Sequence, residues 1–254
     1  MRAAHDATTQ AIRVGLIVPS SNVTMETEIP AMLHRREQSQ PERFTFHSSR
    51  VRMKRVEPAE LAAMNAQGAD AAAALADADC DVIAYACLVA AMLDPRGYPA
   101  IEADLRMAAR TDDREIPVIS SAGALVEAIK QLGARTVAVV APYLPALTQT
   151  VLAELNNAGI DVCDSISLGV DDNLKVAQLP PSQLPELARQ LDTARADAVI
   201  LSACVQMPSL ASIATVEAEL NRPVLSAATA TTWKILDVLG LPGRVDDAGA
   251  LLSG

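Results

Sequence analysis

Two segments of the chain end alike. Asp81-Val-Ile-Ala-Tyr-Ala-Cys87 and Asp197-Ala-Val-Ile-Leu-Ser-Ala-Cys204 each run from an aspartate through a short aliphatic stretch to a cysteine. A thiol placed just past a buried strand, with free backbone N–H groups after it, can be held as thiolate. The same N–H groups can bind a carboxylate. A thiolate is a strong nucleophile, and a second thiol opposite it is a candidate acid or base. Cys80 and Cys163 hold no matching positions and read as inert core residues.

Other polar residues fall at similar places. Asn22 follows the aliphatic run Ile12–Val18, and Tyr143 follows Thr136–Val140. Asn173 lies in Val170-Asp-Asp-Asn-Leu174. Each also has an ordinary reading: Asn22 as the cap of a helix starting near Thr24, Tyr143 as a packing residue, Asn173 as a turn residue. The acidic pairs Glu26/Glu28 and Asp171/Asp172 read as solvated or capping residues rather than an acid–base dyad.

The elements that must position these residues are legible as periodicities. Short β-branched runs at 12–18, 44–48, 81–85, 117–119, 136–140, 160–166, 198–201 and 223–225 read as strands. Ala-, Leu- and Glu-rich stretches with helical spacing lie between them, and Gly133, Gly159 and Gly240 stand where helix C-caps belong. Strands alternating with helices imply an α/β fold, its parallel sheets covered on both faces.

The chain also repeats itself in order. Arg13–Pro19 resembles Arg135–Pro142, Asp81–Cys87 resembles Asp197–Cys204, and Pro117–Gly123 resembles Pro223–Thr229. Two similar halves facing each other would bring the strand ends, where ligands bind in such sheets, into one pocket. The expected architecture is two pseudo-symmetric, Rossmann-like or flavodoxin-like domains with the site between them. The first covers 12–118 plus 228–254 and carries Cys87. The second covers 119–227 and carries Cys204. Residues 1–11 read as a flexible tail.

Composition narrows the function. Half of the 254 residues are hydrophobic, only six are aromatic, and the net charge is -10. That balance speaks against a nucleic-acid partner, which needs clustered Lys and Arg. It leaves room for a small anionic substrate held by backbone N–H groups. No apolar run is long enough to span a bilayer, and no secretory signal is visible, so a cytoplasmic protein is expected. In that reducing compartment the four cysteines are not expected to form structural disulfides. Neither a Cys-x-x-Cys pair nor a gly-rich phosphate loop occurs, and His5, His34 and His47 crowd the N-terminal part, so no metal or nucleotide site is expected.

A strand-end cysteine in each half resembles the Asp/Glu racemase superfamily, and within it most closely the maleate cis-trans isomerases. The resemblance rests on Val18–Glu28, Arg43–Arg50, Tyr85–Ala90, Ser121–Glu127, Val140–Tyr143, Asp172–Leu174, Leu201–Met207 and Gly249–Gly254. Amino-acid racemases follow their two cysteines with Asn-Thr and Thr-His; here the followers are Leu88-Val89 and Val205-Gln206. Arylmalonate decarboxylases keep only the second cysteine. The resemblance implies that Cys87 is a nucleophile and Cys204 its catalytic partner. It implies that Asn22, Tyr143 and Asn173 hold substrate carboxylates through their side chains, and that Leu88, Val89, Val205 and Gln206 contribute backbone N–H groups. It also implies a cofactor-free conversion of maleate to fumarate and a place in nicotinate breakdown; a homodimer is expected from the size of the enzyme. A racemase or decarboxylase of the same superfamily is the alternative.

Overall fold

The structure is a computed structural model and describes residues 11–254. Of the expected tail over 1–11, all but Ala11 lies outside the described residues.

Two four-stranded parallel sheets form the framework. The first contains β1 (Ile12–Pro19), β2 (Phe44–Val51), β3 (Val82–Tyr85) and β4 (Val118–Ser120), in the order β2-β1-β3-β4. The second contains β5 (Thr136–Ala141), β6 (Asp161–Ser167), β7 (Ala198–Ser202) and β8 (Val224–Ser226), in the equivalent order β6-β5-β7-β8. The three sequence repeats fall on β1/β5, β3/β7 and β4/β8, so internal similarity and topology agree. Central strands are aliphatic because helices cover both faces: β3 and β7 are buried at every residue. The edge strands β2 and β6 are only partly buried and carry the polar residues.

The helices among the described residues that bear on the site are α1 (Met25–Arg36), α2 (Pro58–Asp77), α3 (Leu88–Met92), α4 (Tyr98–Ala108), α5 (Ser121–Gln131), α6 (Pro145–Asn157), α7 (Asn173–Ala177), α8 (Leu184–Gln190), α9 (Leu210–Leu220) and α10 (Ala227–Val238). Helices α5 and α10 follow the last strand of each sheet and start alike. Ser120 Oγ accepts from the Gly123 N–H at 3.0 Å, and Ser226 Oγ from the Thr229 N–H at 3.2 Å. They pack against each other, and α10 also rests on α1, β3 and β4. Gly133, Gly159 and Gly240 take φ of 69°, 81° and 70°, the left-handed conformation that ends a helix at glycine without strain.

Candidate active site

Matched backbone bonds set the two cysteines. The Ala86 N–H donates to Ile17 at 2.8 Å, and the Ala203 N–H to Val140 at 3.0 Å. Each bond closes the sheet ladder, and the next residue, Cys87 or Cys204, leaves the strand. Both thiols reach one cavity. Asn22, Leu88, Val89, Tyr143, Asn173, Val205 and Gln206 line the same cavity, so every residue singled out from sequence converges there. Pro19, Met53, Val56 and Ala86 complete the wall.

The two thiols differ in their surroundings. Each is 7% exposed. Burial pushes Cys87 up to about 12, opposed only by the Ala90 N–H and reinforced by Cys204. Burial also raises Cys204, but three donors oppose it: the Tyr143 hydroxyl and the N–H groups of Gln206 and Met207. The Gln206 N–H lies 3.4 Å from Cys204 Sγ. Strand-end placement had suggested a thiolate. In this site desolvation outweighs the few donors, and the neutral thiol is favoured at both positions. Cys80 is also buried, with its thiol raised to about 11 by desolvation, as suits a core residue.

Tyr143 is buried, and its hydroxyl donates to the Ala203 carbonyl at 3.0 Å while standing beside Cys204. One proton cannot serve both acceptors at once. A charge on Cys204 would draw it from the carbonyl to the sulfur. Desolvation, then Cys204, holds the phenol itself well above its ordinary range, so it acts as a donor.

Asn22 performs its expected capping role and more. Its Oδ1 accepts from the Thr24 and Met25 N–H groups at 3.1 and 3.0 Å, starting α1. Its Nδ2 has no acceptor among the described residues and belongs to the cavity wall. Asn173 opens α7, whose cap is Asp172, and its Nδ2 donates to Ser21 Oγ at 2.8 Å across the two halves. The N–H groups of Leu88 and Val89, in the first turn of α3, have no acceptor among the described residues, nor does that of Val205.

No Lys, Arg, Asp or Glu lines the cavity. Its polar equipment is neutral: carboxamides, a phenol, thiols and N–H groups. That set can hold a small anion and stabilise charge moving within it, but offers no carboxylate to an ammonium group. Among the described residues no group of three or more His, Cys, Asp or Glu could hold a metal ion.

Sequence reasoning missed three features. Met53 and Val56 follow β2 in an irregular segment, where no periodicity marks them. Glu28 takes the capping rather than the solvated role, but on a distant helix: at 9% exposure it accepts from the Ser209 and Leu210 N–H groups at 2.6 and 2.7 Å, capping α9 in the other half. Glu26 pairs with Arg50, as a surface acid would. The third feature is the Gln206 side chain, which points away from the role given to its backbone.

Residues 14–252 match the arylmalonate decarboxylase family. The maleate isomerase of Geobacillus stearothermophilus is 52% identical over 95% of this chain and 97% of its own length. The crystal structure of a Cys→Ala variant of the maleate isomerase Iso from Pseudomonas putida S16 with maleate superposes with a TM-score of 0.95 at 50% identity, covering 96% of this chain and 98% of that one. A Cys→Ser variant of the Nocardia farcinica maleate cis-trans isomerase with a covalently bound succinylcysteine intermediate gives 0.91 at 45% identity, covering 96% and 98%.

Proposed function

Since the chain belongs to the maleate isomerases, within the arylmalonate decarboxylase family, we propose that it converts maleate to fumarate by covalent addition of Cys87. The observation that carries this reading is two strand-end thiols in one cavity whose remaining polar groups are all neutral donors. The succinylcysteine in the Nocardia farcinica relative supports a cysteine adduct.

Rotation about a carbon–carbon double bond needs that bond to become single. Loss of the Cys87 proton to solvent frees the thiolate, whose attack on one alkene carbon achieves this and pushes an electron pair toward the carboxylate of the other carbon. The N–H groups of Leu88, Val89 and Val205, with the carboxamides of Asn22 and Asn173, face the carboxylates and take up the added charge. Rotation follows, and expulsion of Cys87 restores the double bond in the trans form. Cys204 protonates the carbanion and later takes a proton back. The Tyr143 hydroxyl and the two N–H groups beside its sulfur support this role, because they stabilise the thiolate left after the proton moves. An amino-acid racemase is disfavoured by the absence of a cavity-lining carboxylate for an ammonium group, and a decarboxylase of this family by the presence of both cysteines, of which the arylmalonate decarboxylases keep only the second.

Of the domain division at 12–118 with 228–254, and 119–227, the return of the chain is supported by α10 resting on α1, β3 and β4, whereas Ile119 and Ser120 pair with β3 and so belong with the first sheet. We place the enzyme in the cytoplasm: its four cysteines are free, and no helix among the described residues is long and apolar enough to cross a membrane. A homodimer is the usual state for an enzyme of this size, and nicotinate-type pyridine breakdown is the setting that passes through maleate.

Proton NMR of maleate incubated with the pure protein tests the activity, with fumarate as the expected product. Run in heavy water, the same experiment reads Cys204: deuterium in fumarate supports proton delivery to carbon. Maleate left unchanged would overturn the reading.

A further inference from the structure

The side chain of Gln206 is fully engaged away from the cavity. Its Oε1 accepts from the Val23 N–H at 3.0 Å and the Thr24 N–H at 3.3 Å. Its Nε2 donates to the Ser21 carbonyl at 2.8 Å and the Asn173 carbonyl at 2.8 Å. A carboxamide has two N–H bonds and two acceptor lone pairs, and here all four are used. The residue is 1% exposed, so these bonds do not compete with water.

The choice of partners is informative. Ser21, Val23 and Thr24 bracket Asn22, and the fourth partner is Asn173 itself. Asn22 follows β1 of the first sheet, and Asn173 opens α7, the helix after β6 of the second. The partners are as many as 185 residues away in sequence. Gln206 stands two residues past Cys204, and its own N–H reaches that sulfur. One side chain therefore ties the Cys204 segment to both asparagines. We propose that Gln206 is a positioning residue, whose carboxamide sets the two substrate-facing amides in register with Cys204. Its activity consequences rest on the isomerase reading above; its structural consequence does not.

A simple fold-holding role would be filled by any group that keeps the halves together. A positioning role requires both donors and both acceptors. Glutamate in this place keeps the acceptors for Val23 and Thr24, but turns a carboxylate oxygen toward two carbonyls. Protonation restores one donor, and burial beside two carbonyl oxygens raises the pH at which that happens.

The test compares wild type, Gln206→Ala and Gln206→Glu by amide hydrogen exchange and by maleate kinetics between about pH 5 and 8, a window that reaches the carboxyl range. In Gln206→Ala, exchange at the Val23 amide should rise at least about tenfold as its acceptor is lost, whereas the Thr24 amide keeps Asn22 Oδ1. Its kcat/KM should fall on the order of 100-fold, the cost of misplaced contacts. Gln206→Glu should recover toward wild type as the pH falls, while Gln206→Ala keeps a constant deficit. Unchanged exchange at Val23, wild-type kcat and KM in Gln206→Ala, or a pH-independent ratio of Gln206→Glu to wild type would each overturn the proposal. Should Gln206→Ala fail to fold, Gln206→Glu carries the test alone. Wild-type turnover in the same assay reports separately on the isomerase reading, and the exchange measurement decides the clamp without it.

Discussion

Cys87 and Cys204 occupy the same structural position in two halves of one chain, each one residue past an alanine that closes the ladder of its sheet. They are not chemically equivalent. Three donors surround the Cys204 sulfur, and one meets that of Cys87. The better-solvated thiol can release and recover a proton more readily. The less solvated one is the more reactive nucleophile once ionised, because few contacts stabilise its charge. The pseudo-symmetry of the fold thus supplies two thiols, and the residues that follow them divide the work.

Replacement of Cys87 by serine should lower turnover by about 10⁴-fold or more, the scale seen when a covalent nucleophile is removed. The circular dichroism spectrum should not change, since the side chains are close in size. A Cys87→Ser enzyme within tenfold of wild type would exclude covalent catalysis through this residue.

The protein without substrate should show a thiol that ionises late. With Cys87 pushed up to about 12, roughly one molecule in 10⁵ carries the thiolate at neutral pH. A thiol whose pKa is raised gains its charge only as the pH climbs. Alkylation of Cys87 by iodoacetamide, followed on its own peptide, should therefore accelerate about tenfold per pH unit between about pH 7 and 9. A plateau below about pH 8 would mean that the N–H groups of Leu88, Val89 and Ala90 outweigh burial.

The two functions of Asn22 can be separated. Asn22→Asp keeps the oxygen that caps α1 but replaces the cavity-facing donor with an anionic oxygen. It should hold its thermal stability and lose at least about 2–4 kcal/mol of transition-state stabilisation, the range for a lost oxyanion donor. Asn22→Ala should lose both, with about 1 kcal/mol of stability gone with the cap. Normal kinetics in Asn22→Asp would return this residue to capping alone. Asn173→Ala should also lower kcat/KM, by about 1–4 kcal/mol.

Glu28 should matter for stability rather than chemistry. Its carboxylate meets the two N–H groups that open α9, just after the Cys204 segment. Glu28→Ala leaves both buried donors unpaired and should cost about 1–3 kcal/mol in urea denaturation. Desolvation raises its pKa above the ordinary carboxylate value, ahead of the lowering by Leu210 and Ser209. A group raised in this way favours the folded state most when protonated. Its contribution should decline as the pH rises from the unfolded value through the folded one. The difference in stability between wild type and Glu28→Gln should accordingly vary with pH across that window; a constant difference would count against it.

Much of this arrangement is written locally. The aliphatic runs of β1, β3, β5 and β7 stand out because strands buried on both faces need no polar alternation, and the in-order repeat reveals the doubled sheet. The cysteines are visible because both copies of the repeated segment end on one. Helix α3 is not, since Leu88–Met92 is an apolar run too short to show a period. Glu28 and the Gln206 side chain are hidden for another reason. Their partners lie some 180 residues away, and nothing in a charged or polar letter tells whether a distant N–H will meet it. The protonation of the thiols depends on desolvation, which only the folded cavity fixes.

The central claim is a covalent bond between substrate and Cys87. Cys204→Ala, mixed with maleate, quenched in acid and digested, reads it directly by peptide mass spectrometry. A succinyl group on the peptide that holds Cys87, absent from those holding Cys80 and Cys163, is the predicted result. Unmodified Cys87 under conditions where the wild-type enzyme forms fumarate, or an adduct confined to another cysteine, would contradict it.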